Sequence, residues 1–190
     1  MVDFESDLLN CIAALQAGDT ILYPTETVWG LGCNALDENA VEKVFALKQR
    51  PKEKSLIVLL AEPKDILQFV AAPPPDIIDI VSQFDCPTTV VYDHALGFPD
   101  NVANADGSIA LRITTDPFCK ALIKRFRKPL VSTSANLSGE STPASFAQIH
   151  PSIVENVGYA VAYRRNEQSP SRPSRLIKIN DDGSFVVLRS

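Results

Sequence analysis

The sequence has few of the residues that build metal sites or disulfide frameworks. Among its 190 residues, the four cysteines are far apart and form no C-x-x-C pair, and the two histidines are isolated from them. This spacing argues against both a disulfide framework and a structural zinc site. We therefore predict that the cysteines are small core residues and that no metal ion is held by them.

Long apolar runs and a basic leader are also missing. No hydrophobic stretch approaches the ~18–20 residues of a membrane span, and the N-terminal residues MVDFE are acidic rather than secretory in pattern. The composition, 45% hydrophobic and 22% charged, is typical of globular proteins. We expect one domain over residues 1–190, located in the cytoplasm and without a membrane partner.

Positive charge is scarce overall but concentrated locally. The net charge of −5 argues against a uniformly basic nucleic-acid binder, yet residues 43–54, 120–128 and 164–175 are each rich in lysine or arginine. Such segregation indicates a local anion site on an acidic body. The alternative is that these segments are solvated helix faces.

Apolar periodicity and turn residues predict an α/β fold. Helices are expected over residues 4–17, from Asp37 to about Arg50, and near residues 63–71, 76–84 and 116–126. Strands are expected at residues 20–23, 56–60, 88–92, 108–114, 130–133 and 159–163, followed by a hairpin of residues 176–179 and 185–188 turned at residues 181–183. Helices between the early strands and a closing hairpin predict a mixed parallel and antiparallel sheet.

Three polar segments follow predicted strands: residues 24–27 (PTET), 87–89 (PTT) and 132–136 (STSAN). Ligands tend to bind where such loops meet at the end of a sheet, although Thr and Ser are also common in turns and caps. Glu26 has three interpretations here: it orients a substrate ammonium, assists a metal ion or caps a turn. Trp29 is expected to pack rather than to stack on substrate, and Gly30 and Gly32 to let backbone approach a ligand.

Two sets of cations stand out against this background. Four cations lie within the seven residues 48–54. One or two cations there would be enough to offset a helix dipole. A polyphosphate-binding site is therefore a second interpretation. Arg112 lies in the apolar run SIALRIT, where a buried unpaired charge would cost several kcal/mol. It therefore either reaches solvent at a sheet edge or has a fixed anionic partner, such as a ligand carboxylate.

Taken together, the segments YPTETVWGLG, KQRP with SLIV, IALRIT and PLVSTSANLSG resemble the YrdC family, the L-threonylcarbamoyladenylate synthases. The resemblance runs from about residue 20 to residue 139. It implies an α/β fold, with a twisted mixed sheet and flanking helices around a positively charged concave cleft. It also implies that L-threonine, bicarbonate and ATP, with Mg²⁺, give threonylcarbamoyl-AMP and pyrophosphate. Downstream tRNA-threonylcarbamoylating proteins, and RNA or tRNA itself, are the further partners implied.

The resemblance carries functional residues over by position. Those assigned to catalysis and the nucleotide are Lys48, Arg50, Ser134 and Asn136, with Ser108 as a further nucleotide contact. Those assigned to threonine and its surroundings are Thr25, Arg112, Ser132 and Ser174, and Thr89 is a weaker candidate. No nucleophilic side chain is required, because catalysis would come from placing cations around mutually repelling anions.

The sequence departs from the family pattern at two positions. Residues 85–89 read DCPTT where the family has P-G-P-x-T, and Arg175 stands where a threonine is usual and is expected to affect a lid over the site. We expect a single-domain form without the additional C-terminal domain of longer members. Two alternatives remain at this stage: a non-catalytic RNA-binding or ribosome-associated protein, favoured by the cations at 120–128, and a member that acts on another nucleotide.

Overall fold

The computed structural model of the protein describes residues 4–49, 56–168, 173–180 and 183–190, over which the chain forms one mixed sheet with flanking helices. The strands are β1 Ile21–Tyr23, β2 Gly30–Asn34, β3 Ile57–Leu60, β4 Thr88–Tyr92, β5 Ile109–Ile113, β6 Leu130–Ser134, β7 Tyr159–Ala160, β8 Arg175–Ile179 and β9 Phe185–Arg189. The helices are α1 Glu5–Gln16, α2 Glu38–Lys48, α3 Ile66–Phe69, α4 Ile77–Ser82, α5 Pro117–Phe126 and α6 Pro151–Asn156, with 3₁₀ turns at Pro63–Asp65 and Phe146–Gln148.

The predicted helix starts are explained by capping side chains. The Asp37 carboxylate accepts a hydrogen bond from the Ala40 amide at 3.1 Å, and α2 begins at the next residue. Asp116 accepts from the Cys119 amide at 2.9 Å at the start of α5, where Pro117 supplies a fixed helical φ. These local interactions set the positions of two helices that pack beside the sheet.

The strand order is β7-β1-β2-β6-β3-β5-β4-β8-β9. The pairs β1–β7, β3–β5 and β4–β8 are parallel, and the other neighbours are antiparallel. The prediction of a mixed sheet in an α/β fold is therefore confirmed. The hairpin is present as β8–β9, while its turn residues 181 and 182 lie outside the described residues.

The sequence prediction missed β2. Gly30 and Gly32 were expected to let backbone approach a ligand, and both belong to β2, a buried strand between β1 and β6. A Cβ on Gly32 would lie 2.0 Å from the Val131 carbonyl oxygen and 3.0 Å from the Tyr23 ring, so this glycine admits neighbouring protein atoms instead of ligand. The predicted strand at 159–163 is also shorter, because only Tyr159–Ala160 pairs with β1.

The two faces of the sheet differ because side chains alternate along each strand. Helix α1 packs on α5, β1 and β7, and α2 packs on β2 and α6, burying the apolar face. The opposite face carries a row of paired residues in register: Gly32, Ser132, Ile57, Ala110 and Val91. Most of these side chains are small, which leaves volume above the centre of the sheet.

Trp29 confirms the prediction of a packing role. It is buried, and its ring lies 5.0 Å from that of Phe146 in an edge-to-face arrangement.

Across the described part of the chain, no helix combines the length and apolarity needed to cross a membrane.

Candidate active site

A cavity of about 580 Å³ lies on the face of the sheet with the small side chains. Its described lining is supplied by β2 to β6, β8 and β9 and by four loops: Thr25, Thr27, Val28, Gly30, Ile57, Val91, Asn104, Ala110, Arg112, Ser132, Thr133, Ser134, Thr142, Pro173, Ser174, Leu176, Leu188 and Arg189. This lining contains two guanidinium groups and several hydroxyls, and none of the described residues in it is an aspartate or a glutamate. The wall is therefore suited to an anionic, hydrogen-bonding ligand.

Arg112 is the charged residue at the centre of this wall. It lies on β5 between β3 and β4, and its side chain is 5% exposed. The Nε atom is 3.2 Å from Glu26 Oε1, and Nη1 donates to Thr27 Oγ1 at 3.4 Å. The expectation of a fixed anionic partner is met by the protein itself, because Glu26 faces the guanidinium.

The PTET segment forms a tight turn around the hydroxyl of Thr25. Thr25 Oγ1 donates to the Val28 carbonyl at 2.7 Å and accepts from the amides of Thr27 and Val28 at 3.1 and 3.2 Å. These bonds fix the loop so that Thr25 and Thr27 both line the cavity. Thr25 is thus placed where the sequence predicted, and much of its hydrogen-bonding capacity is used to hold the turn.

Ser132 and Ser174 both line the cavity, although they belong to distant segments of the chain. Ser132 lies on β6 near Tyr23, and burial raises the pKa of the Tyr23 phenol well above its usual range, which keeps it protonated. The Ser174 hydroxyl is 2.7 Å from that of Thr89, while its carbonyl accepts from Arg189 Nη2 at 2.9 Å. Thr89 pairs with Arg112 in register and is buried, although it is not part of the described lining.

Lys48 is buried at the end of α2, behind the loop that follows β6. Its Nζ atom donates to the carbonyls of Ser134 and Asn136, the latter at 2.7 Å, and its own carbonyl accepts from the Ser138 amide at 2.8 Å. Lys48 is thereby joined to the STSAN segment. Ser134 lines the cavity, whereas Lys48 and Asn136 lie outside its described lining.

The two other predicted residues, Ser108 and Arg50, are not part of the described cavity lining. Ser108 is buried and donates to Asp106 Oδ1 at 2.6 Å, and it accepts from Asn104, which lines the cavity. Ser108 therefore lies outside the described wall of the cavity. Arg50, together with the cations at 52 and 54, lies outside the described residues.

The architecture and these motifs agree with comparisons to known proteins. A family model named Sua5/YciO/YrdC, with the description telomere recombination, matches residues 13–190. A protein of Pseudoalteromonas translucida named threonylcarbamoyl-AMP synthase is 40% identical over 160 residues, covering 83% of this chain and 86% of its own. The chain belongs to the Sua5/YciO/YrdC family.

Solved structures of family members have the same fold. P. abyssi Sua5 complexed with L-threonine superposes with a TM-score of 0.85 at 26% identity, covering 97% of this chain and 54% of its own. The present chain therefore spans about half the length of that protein. E. coli YciO superposes with a TM-score of 0.80 at 21% identity, covering 98% of this chain and 90% of its own.

The two departures from the family pattern lie against one another. Arg175 Nη2 is 3.4 Å from the Asp85 carboxylate, its Nε donates to Thr88 Oγ1 at 3.2 Å, and its guanidinium lies over the Phe84 ring. Arg175 therefore binds the loop before β4 and is outside the described cavity lining. Its expected effect on a lid stays a prediction.

Arg189 is the main cavity residue that the sequence interpretation missed. It follows the apolar residues of β9, just as Arg112 interrupts those of β5. That shared pattern was the available signal, although Arg189, unlike Arg112, is exposed. Only the pairing of Leu176 with Arg189 places it on the cavity face.

The basic cluster at residues 120–128 belongs to a different surface. Lys124 pairs with Glu62 and Arg125 with Glu5. Lys124, Arg127 and Lys128 line a separate groove of about 630 Å³. These cations are therefore partly neutralised and do not contribute to the cavity that contains Arg112.

Proposed function

We propose that this protein is an L-threonylcarbamoyladenylate synthase. In the proposed reaction, L-threonine, bicarbonate and ATP give threonylcarbamoyl-AMP and pyrophosphate, which makes the enzyme a nucleotidyltransferase. Support comes from relatives named threonylcarbamoyl-AMP synthase, one of them 40% identical over most of both chains. P. abyssi Sua5, described in complex with L-threonine, supports the same substrate for this fold.

The observation that carries the proposal is the placement of Arg112. Its guanidinium is fixed in the wall of the cavity, among hydroxyls from Thr25, Ser132 and Ser174. A guanidinium has five N–H donors in a planar fork that matches a carboxylate in bidentate fashion. In the proposal Arg112 binds the threonine carboxylate, and the surrounding hydroxyls orient the amine toward the nucleotide.

The remaining predicted residues are assigned to ATP. The Lys48 ammonium group binds the carbonyls of Ser134 and Asn136 beside the cavity, so Lys48 would act mainly by holding that segment in place. Arg50 and Ser108 keep their nucleotide assignments from the sequence. We add the cavity residue Arg189 as a cation available to the same set of anions.

Bond changes in the proposed reaction need no nucleophilic side chain. Bicarbonate takes up a proton and loses water to give CO₂; the threonine amine attacks the carbon of CO₂ and releases a proton, forming a carbamate. A carbamate oxygen then attacks the α-phosphorus of ATP, and the electron pair of the broken bond leaves with pyrophosphate. Holding the reactants in place can account for several kcal/mol of the barrier, with preorganised cations stabilising the charge that develops.

Mg²⁺ is not assigned to protein ligands. Within the described residues, no group of three or more His, Cys, Asp or Glu side chains is arranged to hold a metal ion. The carboxylate nearest to Arg112 is Glu26, which is already engaged with that guanidinium. A magnesium ion would therefore arrive with the phosphates of ATP, and no step above runs through it.

The product implies the partners. Threonylcarbamoyl-AMP is a mixed anhydride, so the protein is proposed to supply enzymes that transfer its threonylcarbamoyl group to a tRNA adenosine beside the anticodon. We place this reaction in the cytoplasm, where ATP and tRNA meet, and in a single domain of residues 1–190. RNA binding is a further proposed property.

Pyrophosphate release from ATP tests the proposal directly. We expect release only when L-threonine and bicarbonate are both present. Release without threonine, or none at all with both substrates, would contradict the synthase assignment. RNA binding in a parallel titration that weakens steeply with salt, with no pyrophosphate release, would instead favour the non-catalytic alternative.

Arg112→Ala should reduce threonine-dependent kcat/KM at least roughly a hundredfold, because a buried charge that binds the substrate carboxylate is removed. Arg125→Ala is the matched control, since Arg125 pairs with Glu5 away from the cavity. Both variants are first compared with the wild type by circular dichroism. Unchanged turnover in folded Arg112→Ala would remove Arg112 from the site.

A further inference from the structure

We propose that Glu26 is a positioning residue, which holds Arg112 in the orientation needed to bind the carboxylate of the amino-acid substrate. The inference rests on the proposed function, because it concerns the same cavity and the same substrate. It assigns Glu26 neither to the substrate ammonium nor to a metal ion.

The contacts of Glu26 place it behind Arg112. Its Oε1 atom is 3.2 Å from Arg112 Nε, and its Oε2 atom accepts a hydrogen bond from Thr114 Oγ1 at 2.9 Å. Thr25 and Thr27 on either side line the cavity, whereas Glu26 is absent from its described lining. The carboxylate is therefore directed away from the ligand space and toward β5.

The two edges of the Arg112 guanidinium group therefore have different surroundings. The Nε atom faces Glu26, while among the described residues Nη1 has a long contact of 3.4 Å with Thr27. A contact of that length is weak and is readily exchanged for a shorter bond to a carboxylate oxygen. Arg112 thus reaches the cavity already oriented, with terminal N–H groups available to the ligand.

Thr114 holds the far side of Glu26. It follows Arg112 by two residues, is fully buried, and its hydroxyl fixes one carboxylate oxygen. The chain from Thr114 to Glu26 to Arg112 therefore limits the positions that the guanidinium can adopt. Because the Nε–Oε1 contact is an ion pair without hydrogen-bond geometry, Glu26 acts on Arg112 through its charge and through the position in which Thr114 holds it.

The test measures L-threonine affinity by isothermal titration calorimetry, independently of turnover. Glu26→Ala should raise the Kd for L-threonine roughly ten- to a hundredfold, as expected when a buried guanidinium loses its ion-pair partner. Glu26→Gln removes the charge but keeps the side-chain length and an oxygen for the Thr114 hydroxyl, and it should raise the Kd by a clearly smaller factor than Glu26→Ala. In pyrophosphate-release assays, the KM for ATP should be unchanged in both variants.

A direct role of the charge predicts a different pattern. If Glu26 bound the substrate ammonium or a metal ion, Glu26→Gln would be as impaired as Glu26→Ala, and that result would overturn the inference. Equal losses for threonine and ATP would overturn it too, since they indicate general disruption of the site. Thermal unfolding of each variant shows whether the protein remains folded.

Two further variants complete the experiment. Thr114→Val removes the hydroxyl behind Glu26, and should raise the Kd for L-threonine in the same direction by a smaller factor; it serves if Glu26→Ala does not fold. Asp116→Ala is the matched control, because Asp116 is a buried carboxylate paired with Arg164 at 2.8 Å, outside the cavity lining. It should leave the affinity unchanged, and an equal loss there would contradict a specific role for Glu26.

The outcomes for Glu26 and for the proposed function remain distinguishable. If the wild type binds L-threonine but releases no pyrophosphate, the synthase assignment fails while the comparison of affinities still tests Glu26. If the wild type does not bind L-threonine, both are overturned.

Discussion

At the scale of single residues, the molecule contains a buried cation that stays available to a ligand. Arg112 is on a central strand, where an unpaired guanidinium would cost several kcal/mol. Glu26 offsets that cost on one edge of the group only, and the other edge faces the cavity. The same carboxylate that makes burial tolerable also restricts the direction in which the charge can act.

Gly32 is a second position where one residue decides the local geometry. Gly32→Ala should lower the free energy of unfolding by about 1–3 kcal/mol, the usual range for overpacking. The added Cβ would lie 2.0 Å from the Val131 carbonyl oxygen, and the backbone of a paired strand cannot easily move away. Urea denaturation measures the change.

Gly30→Ala is the control for this substitution. A Cβ at Gly30 would meet its nearest atom, Ser132 Oγ, at 3.2 Å, and that side chain can adjust. Its loss of stability should therefore be clearly smaller. Equal stability of Gly32→Ala and the wild type would mean that β2 can move away from β6.

At the scale of secondary-structure elements, single side chains join segments that are distant in sequence. Lys48 joins α2 to the loop after β6 through two carbonyls, and Arg175 joins β8 to the loop before β4. The PTET turn connects β1 to β2, and its Glu26 reaches β5. Two of the segments that line the cavity, the PTET turn and the loop after β6, are thus held by polar side chains.

Asp7 provides the same kind of link at the β7 edge of the sheet. It lies on α1, is buried, and accepts hydrogen bonds from the Tyr159 hydroxyl at 2.6 Å and from the amides of Ala162 and Tyr163 at 2.9 Å each. Asp7→Ala would leave these two amides without their acceptor. We expect a loss of roughly 2–4 kcal/mol in the free energy of unfolding, because each stranded donor costs about 1–3 kcal/mol unless water reaches it.

Tyr159→Phe serves as the comparison, since it removes a single donor to Asp7 and leaves the backbone bonds in place. Its effect in urea denaturation should be less than half of that of Asp7→Ala. If the two variants were equally stable, the backbone bonds to Asp7 would contribute nothing measurable.

At the scale of the whole molecule, the fold determines which cysteine thiols are exposed to solvent. Cys11, Cys33 and Cys119 are buried free thiols and Cys86 is exposed. Burial raises the pKa of the three buried thiols well above the usual range, which suppresses the reactive thiolate. The prediction that the cysteines are small core residues is confirmed for these three and is wrong for Cys86.

Thiol titration with Ellman's reagent tests whether three of the four thiols are protected by burial. The native protein should react rapidly at Cys86 alone, and Cys86→Ser should react hardly at all. In denaturant the wild type should react at all four cysteines. Rapid reaction of native Cys86→Ser would indicate that part of the core opens easily.

Much of the fold was predictable because its signals are local. The caps at Asp37 and Asp116, the apolar runs of β3 to β6 and the terminal hairpin all depend on neighbours a few residues away. The family resemblance carried by the strand-end motifs was likewise confirmed by the family match. Strand β2 escaped prediction because two glycines in five residues give no β signal, and only its neighbours on both sides make it a strand.

The sequence by itself determined the types of group available: one arginine within an apolar strand, hydroxyls after strands, and a lysine at the end of a helix. The tertiary structure alone decided how they are used, because register and strand order set which side chains share a face. Through them Glu26 meets Arg112, Lys48 turns to carbonyls behind the cavity, and Arg189 joins its wall. These contacts join residues far apart along the chain, and no local pattern specifies them.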